Sequence, residues 1–222
     1  MKKKLIIWDF DGVIADTEKL WLTNRQKLLK ETMGIDWDWE TVEKHLKGMS
    51  DLTKREKLDS LGIITDDYFW EKSIEMDNYS MEEIGFILTN GIEQIFKLPI
   101  NQCIATGGIK DKTARKIEIV GIRKYFPEEN VFTADMVKRG KPDPDLFLMA
   151  SEKFNENPAD CIVVEDSVAG LTAALKAGCL PICYFDGNIN EENPYIKQLR
   201  EMGIKNIFNN MKDIKDFILT LI

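Results

Sequence analysis

The chain opens with a short run of apolar residues, Leu5-Ile6-Ile7-Trp8, that stops abruptly at Asp9. A continuous apolar run of this length, without polar alternation, predicts a strand buried on both faces, as in a parallel sheet. Comparable runs recur over 102–105, 131–134, 161–164 and 180–185. Between them the apolar spacing becomes helical. Lys112 to Val120 follows the second strand; Asp145 to Phe154 follows the third, with Leu146, Phe147, Ala150 and Phe154 on one side; Val168 to Ala177 follows the fourth and is closed by Gly178. Strand and helix in alternation predict an α/β fold: a doubly wound, Rossmann-like parallel sheet with helices on both faces and right-handed crossovers.

The stretch from about Glu18 to Phe86 breaks that alternation. Leu22, Leu29 and Met33 mark one helix stopped by Gly34, Trp39, Val42 and Leu46 a second stopped by Gly48, and Leu58 and Leu61 a third ending at Gly62. No strand pattern interrupts them. The reading is an all-helical insert placed after the first strand, giving an α/β core over 1–16 and 87–222 and a helical cap over 17–86. Segments 15–17 and 85–91 are the expected hinges, with Asp16 shaping the entry. Trp21, Trp37, Trp39 and Trp70, four of the five tryptophans, fall in the insert, where aromatic residues mostly build a core.

Composition narrows the function classes. With 44% hydrophobic and 31% charged residues over 222 positions, the chain reads as an ordinary globular protein. Its net charge of −8 favours neither nucleic acid nor an anionic membrane as a partner. The single histidine, His45, excludes a two-imidazole metal centre within the chain and reads as a surface or boundary residue. Cys103, Cys161, Cys179 and Cys183 form no CxxC pair and, sitting mostly in apolar runs, read as small buried hydrophobes in a reducing cytoplasm. The apolar start is too short for a signal peptide or a membrane span. A monomer is expected.

In an open α/β sheet, ligands bind beyond the carboxyl ends of the strands. The first strand ends in Asp9-Phe10-Asp11-Gly12, the second in Ala105-Thr106-Gly107-Gly108, the third is followed by Lys141-Pro142, and the fourth ends in Glu165-Asp166-Ser167. Any one of these is commonplace; together they converge on one sheet edge. Asp9, Asp11, Glu165 and Asp166 would crowd negative charge that repels unless a hard, oxygen-seeking cation such as Mg²⁺ neutralises it. Thr106 with the amides of Gly107 and Gly108, at a helix start, would cradle an anion, and Lys141 would add a point charge to the same phosphate. The basic run Lys110, Lys112, Arg115 and Lys116 reads as the solvated face of a helix, with Lys110 near enough to assist the anion. The combination points to phosphoryl transfer on a small phosphorylated metabolite.

The stretches DFDGVIADTE (9–18), ATGG (105–108), GKPDPDLF (140–147) and VVEDSVAG (163–170) resemble, in order, the four motifs of the haloacid dehalogenase superfamily. The insert resembles the helical cap of its beta-phosphoglucomutase-like and sugar-phosphate phosphatase members. The resemblance implies that Asp9 is the nucleophile that becomes an aspartyl phosphate, and that Asp11 is the general acid and then the base. It implies a Mg²⁺ site on the Asp9 side chain, the Asp11 backbone carbonyl and Asp166, assisted by Glu165, with Thr106, Gly107 and Lys141 on the phosphate. Cap closure over the core would then exclude water, and Trp21, Lys47, Ser50 and Lys54 would set specificity.

Three departures bear on which reaction is expected. Gly107-Gly108 replace the usual polar residue after Thr106, Trp21 stands where the mutase cap carries a histidine, and Asp51 follows Ser50 where that cap carries an arginine. The last two favour hydrolysis of a sugar phosphate or sugar-acid phosphate over a beta-phosphoglucomutase-like isomerisation. Asp11 argues against a dehalogenase. A phosphonate-cleaving enzyme would need a cap lysine such as Lys44, Lys47 or Lys54 to form an imine. A receiver-like signalling module would lack both the DxD and the insert.

Overall fold

The computed structural model describes residues 2–222 apart from Gly48 and Ser50, together with all their side chains except that of Leu52. The chain separates into two compact units, one made of 1–15 with 88–222 and the other of 16–87.

The first unit is built on six strands: β1 (Leu5–Trp8), β2 (Asn101–Thr106), β3 (Val131–Thr133), β4 (Cys161–Glu165), β5 (Leu180–Tyr184) and β6 (Ile207–Phe208). All are parallel, in the order β3-β2-β1-β4-β5-β6. Chain order therefore reverses beside β1, and a reversal of this kind opens a crevice at the carboxyl ends of the strands. β1 is wholly buried, and its side chains alternate between faces as a strand requires. Leu5 and Ile7 join Phe147, Ala150, Ala173 and Ala174 in one core, whereas the Trp8 ring meets Phe96 edge-on at 5.5 Å. The four cysteines are free and buried.

Six helices of this unit join or flank the strands. Those in the insert are numbered first in chain order, so here they are α5 (Glu93–Phe96), α6 (Lys110–Ile119), α7 (Asp145–Lys153), α8 (Val168–Ala177), α9 (Pro194–Glu201) and α10 (Met211–Leu219). Local chemistry sets their limits. Ser167 caps α8 by accepting from the Gly170 amide, and Gly178 closes it in the left-handed conformation. Asn193 and Asn210 cap α9 and α10 in the same way.

The second unit holds α1 (Glu18–Met33), α2 (Trp39–Leu46), α3 (Asp51–Ser60) and α4 (Asp67–Glu83). Its apolar core is Leu22, Leu28, Leu29, Val42, Leu46, Leu58 and Phe69, with Trp37, Trp39 and Trp70 packed against it. Beside that core runs a buried polar seam. The Arg25 guanidinium donates to both carboxylate oxygens of Asp77 at 2.9 Å, and Asn24 donates to Asp77 Oδ1 at 2.9 Å. Ser80 donates in turn to Asn24. No helix among the described residues is long and apolar enough to cross a membrane.

Candidate active site

Strand register brings the site together. Trp8 lies opposite Ile104 of β2 and Val164 of β4, so the next residue, Asp9, leaves the sheet level with Ala105 and Glu165. Its amide donates to the Val164 carbonyl at 2.9 Å, continuing the ladder one residue past the strand. Asp9 is buried, with 4% of its surface exposed.

Burying a carboxylate is costly without a partner. Lys141 Nζ supplies one, 2.6 Å from Asp9 Oδ1 and 3.1 Å from Glu165 Oε1. The same ammonium lies 5.0 Å above the Phe147 ring of α7. Burial pushes the Asp9 carboxyl up to about 7; Lys141 pulls it down, while Glu165 and Asp11 add like charge that pushes it further up. The Lys141 ammonium is held protonated well above its ordinary range: burial works against the charge, but Asp9 and Glu165 outweigh it.

Glu165 is fixed on its other side. Its Oε2 accepts from the Ser167 amide at 3.0 Å and from Ser167 Oγ at 2.7 Å. Gly170 leaves room for it, since a Cβ there would stand 2.0 Å from the Glu165 carboxylate. Asp166 is placed by two contacts. Tyr195 donates its hydroxyl to the Asp166 carbonyl, and the side chain sits over Gly12, where a Cβ would come within 2.0 Å of Oδ2 and where φ is +81°.

Asp9, Glu165 and Asp166 can each offer a carboxylate oxygen, all within 4.8 Å of one another. Three hard oxygen donors with one lysine among them form a set suited to Mg²⁺ and poorly suited to a soft metal. The glycine hollow that admits Asp166 fits the same purpose. Both oxygens of Glu165 already accept hydrogen bonds.

Thr106 ends β2, buried to 1% exposure. In the turn that follows, the Gly108 amide donates to Thr106 Oγ1 at 3.3 Å, and the Lys110 amide donates to Asp135 Oδ1 at 3.1 Å. Of the two glycine amides expected to cradle an anion, that of Gly108 is thus already directed at Thr106. A Cβ at Gly108 would stand 2.8 Å from the buried hydroxyl of Thr113, whereas one at Gly107, directly after Thr106, would meet nothing within 4 Å, so crowding does not explain the missing polar side chain there.

Lys116 corrects the sequence reading. Expected on a solvated helix face, it is only 4% exposed, and its Nζ lies 2.5 and 2.7 Å from the two oxygens of Asp11. A surface reading followed from the surrounding run of charges; the signal that could have found it is spacing, because Thr113, Lys116 and Ile117 share the buried face of α6. Tyr195 and the Ser167 contact to Glu165 also went unread, since neither position carries a charge.

The residues singled out in the insert belong to the second unit and are placed there as follows. Trp21 meets Phe86 edge-on at 5.5 Å. Lys47 is exposed and ion-paired with Glu43 at 2.9 Å. Lys54 is buried, 3.7 Å from Asp51 Oδ1, and burial lowers its ammonium's proton affinity, Asp51 opposing and Arg25 reinforcing that effect. Ser50 and the helix stop expected at Gly48 lie outside the described residues. His45 packs its ring 5.3 Å from Trp37 at the edge of the unit's core.

The chain matches the haloacid dehalogenase-like hydrolase family over residues 6–183, and it belongs to that family. The phosphorylated carbohydrates phosphatase of Thermotoga maritima is 28% identical over 180 residues, 78% of this chain and 81% of the relative. The beta-phosphoglucomutase of Bacillus subtilis is 27% identical over 191 residues, 81% and 82% of the two chains. Among solved structures, a haloacid dehalogenase-like protein of Agrobacterium tumefaciens superposes with a TM-score of 0.86 at 24% identity, covering 98% of each chain. That likeness carries the fold.

Proposed function

We propose that the protein is a Mg²⁺-dependent phosphatase that hydrolyses a small phosphorylated metabolite, a sugar phosphate or sugar-acid phosphate, through an aspartyl phosphate on Asp9. The observation that carries this reading is a buried carboxylate at the end of β1, held 2.6 Å from Lys141 Nζ and within ligand distance of Glu165 and Asp166. A bound Mg²⁺, held by Asp9, Asp166 and the Asp11 carbonyl with Glu165 in support, would neutralise the carboxylates and the charge developing on phosphorus.

The chain's own groups then divide the work. Thr106, the Gly107 amide and Lys141 hold the phosphoryl oxygens. One Asp9 oxygen forms a bond to phosphorus as the bond to the substrate oxygen breaks, and the electron pair leaves on that oxygen, which takes the proton of Asp11. In the second half, Asp11 accepts a proton from water as the water oxygen attacks phosphorus. The Asp9–phosphorus bond breaks, and free phosphate and the Asp9 carboxylate are restored. Most of the rate enhancement in such chemistry comes from positioning and charge neutralisation.

The unit over 16–87 is assigned the role of helical cap, with specificity on Trp21, Lys47, Ser50 and Lys54. Hydrolysis is preferred to a beta-phosphoglucomutase-like reaction because the two cap positions that would be basic in a mutase carry Trp21, packed on Phe86, and Asp51, ion-paired with Arg25 at 3.1 Å. The test is phosphate release with Mg²⁺ from a panel of sugar phosphates, sugar-acid phosphates and nucleotides, beside Asp9→Asn as the blank. Release above the blank is expected. No release from any member, or an isomer formed only with a bisphosphate activator, would overturn the reading.

A further inference from the structure

We infer that Lys116 is a positioning residue for the proton transfers made by Asp11. The inference rests on the reading of Asp11 as acid and base, and it goes beyond the motif residues, none of which includes Lys116.

The geometry begins with α6. Its buried face presents Thr113 and, one turn further on, Lys116. The first lies under the Gly108 turn; the second reaches Asp11 across 105 positions of chain. A single helix face thus supports both the turn that would hold the phosphate and the residue that would deliver the proton. The Lys116 ammonium is all but sealed, its side chain 5% exposed against 35% for that of Asp11. It lies 5.4 Å from the Phe10 ring and contacts both Asp11 oxygens. From beneath, the cation fixes the direction of a carboxylate whose outer edge stays open to solvent.

Packing alone does not call for a lysine there. An apolar side chain of similar length would fill the space without the cost of dehydrating an ammonium, and a partly buried ion pair gains little stability over such a replacement. What the lysine adds is orientation. Asp11 lies three residues past the end of β1 and sits in a turn held by the Ile14 and Ala15 amides, which donate to the Phe10 carbonyl at 3.0 and 3.2 Å. Those bonds fix the backbone there and do not by themselves set the Asp11 χ angles. Lys116 restrains them, so the carboxylate meets the leaving oxygen, and later the attacking water, without searching among rotamers.

The consequence is a dependence on the leaving group. Expulsion of a sugar alkoxide needs the Asp11 proton; expulsion of p-nitrophenolate, a stable anion, does not. The experiment compares wild type with Lys116→Met in single-turnover rapid quench with saturating Mg²⁺, reading release of the leaving group, because the water step that follows calls on Asp11 equally for both substrates. The substrates are p-nitrophenyl phosphate and the sugar phosphate released fastest in the panel above. The variant is expected to slow leaving-group release from the sugar phosphate by roughly 10- to 100-fold, less than the roughly 100- to 10,000-fold that a whole general acid contributes, and that from p-nitrophenyl phosphate by less than about threefold.

Lys116→Gln, neutral but still able to donate to Asp11, is expected between wild type and Lys116→Met, and serves as the measured variant if the methionine protein does not fold. Equal slowing of both substrates would mean a merely structural lysine and would overturn the inference. So would faster turnover of the sugar phosphate, which would mean that Lys116 parks Asp11 away from the reaction. In either case a wild type active above the Asp9→Asn blank leaves the phosphatase reading standing, whereas a wild type that releases neither leaving group fails that reading itself.

Discussion

Asp9→Asn should make the metal-free protein more stable while abolishing its turnover. In the folded chain the Asp9 carboxyl is displaced from its ordinary 3.8 to about 7, chiefly by burial, with Glu165 and Asp11 adding repulsion that Lys141 only partly offsets. An acid whose folded proton affinity is raised favours folding when it is protonated. That contribution is complete below the ordinary value and is lost as pH climbs through the folded one. At about 1.4 kcal/mol for each tenfold change in proton affinity, the ionised carboxylate costs about 4 kcal/mol by pH 8. Asparagine removes the charge but still accepts from Lys141. That bond, now charge-assisted by the lysine alone, is weaker and gives back about 1–2 kcal/mol, leaving a net gain of about 2–3 kcal/mol. Urea unfolding in EDTA measures it. The variant should exceed wild type near pH 8, and the gap should close towards about pH 4 as the wild-type carboxyl protonates. Added Mg²⁺ should narrow the gap at high pH by binding the wild-type carboxylates. A variant no more stable than wild type at pH 8, or a gap independent of pH, would refute the idea that Asp9 is held ionised against its surroundings.

Three further outcomes are expected. Lys141→Ala should lower kcat/KM by on the order of 100-fold, about 3 kcal/mol of transition-state stabilisation; a loss below about tenfold would remove Lys141 from the phosphate. Gly170→Ala should drive the Glu165 carboxylate from its place, because the new Cβ would stand 2.0 Å from it. We expect about 1–3 kcal/mol of lost stability and a raised Mg²⁺ requirement for activity, whereas wild-type values in unfolding and Mg²⁺ titration would show that Glu165 is not confined there. Asp77→Ala should leave the Arg25 guanidinium, only 1% exposed, leaning on the half-exposed Asp51 at 3.1 Å, at a cost of about 2–4 kcal/mol. A cost under about 1 kcal/mol in chemical unfolding would mean that Asp51 and water suffice to satisfy it.

The first unit was largely legible because its chemistry follows its periodicity. Each buried apolar run is a strand; β1 leads directly into Asp9, β2 and β4 end on Thr106 and Glu165, and Lys141 lies in the chain after β3, so these four could be read together. What escaped was short or disguised. The two residues of β6 are too few to show a period. The helix α4 hid its buried face because that face carries Ser73, Asp77 and Ser80 beside Phe69 and Met81; Arg25 and Asn24 of α1 supply Asp77 and Ser80 with their polar partners, so the inward positions read as outward ones. Lys116 was disguised in the same way. A cation buried against a carboxylate 105 positions away differs in sequence from the half-buried Lys112 and the exposed Arg115 only by sharing the helical spacing of Thr113 and Ile117. In both cases a buried charge is matched by a distant one, and local pattern carries no trace of the match.

The central claim is that Asp9 itself becomes phosphorylated. Acid quenching of the Mg²⁺-loaded enzyme during turnover of its best panel substrate, followed by peptide mass mapping, tests it most directly. One added phosphoryl group is expected on the peptide containing Asp9, absent without Mg²⁺ and absent in Asp9→Asn. Steady release of phosphate with that peptide unmodified at every quench time, or with the phosphoryl group on another residue, would contradict it.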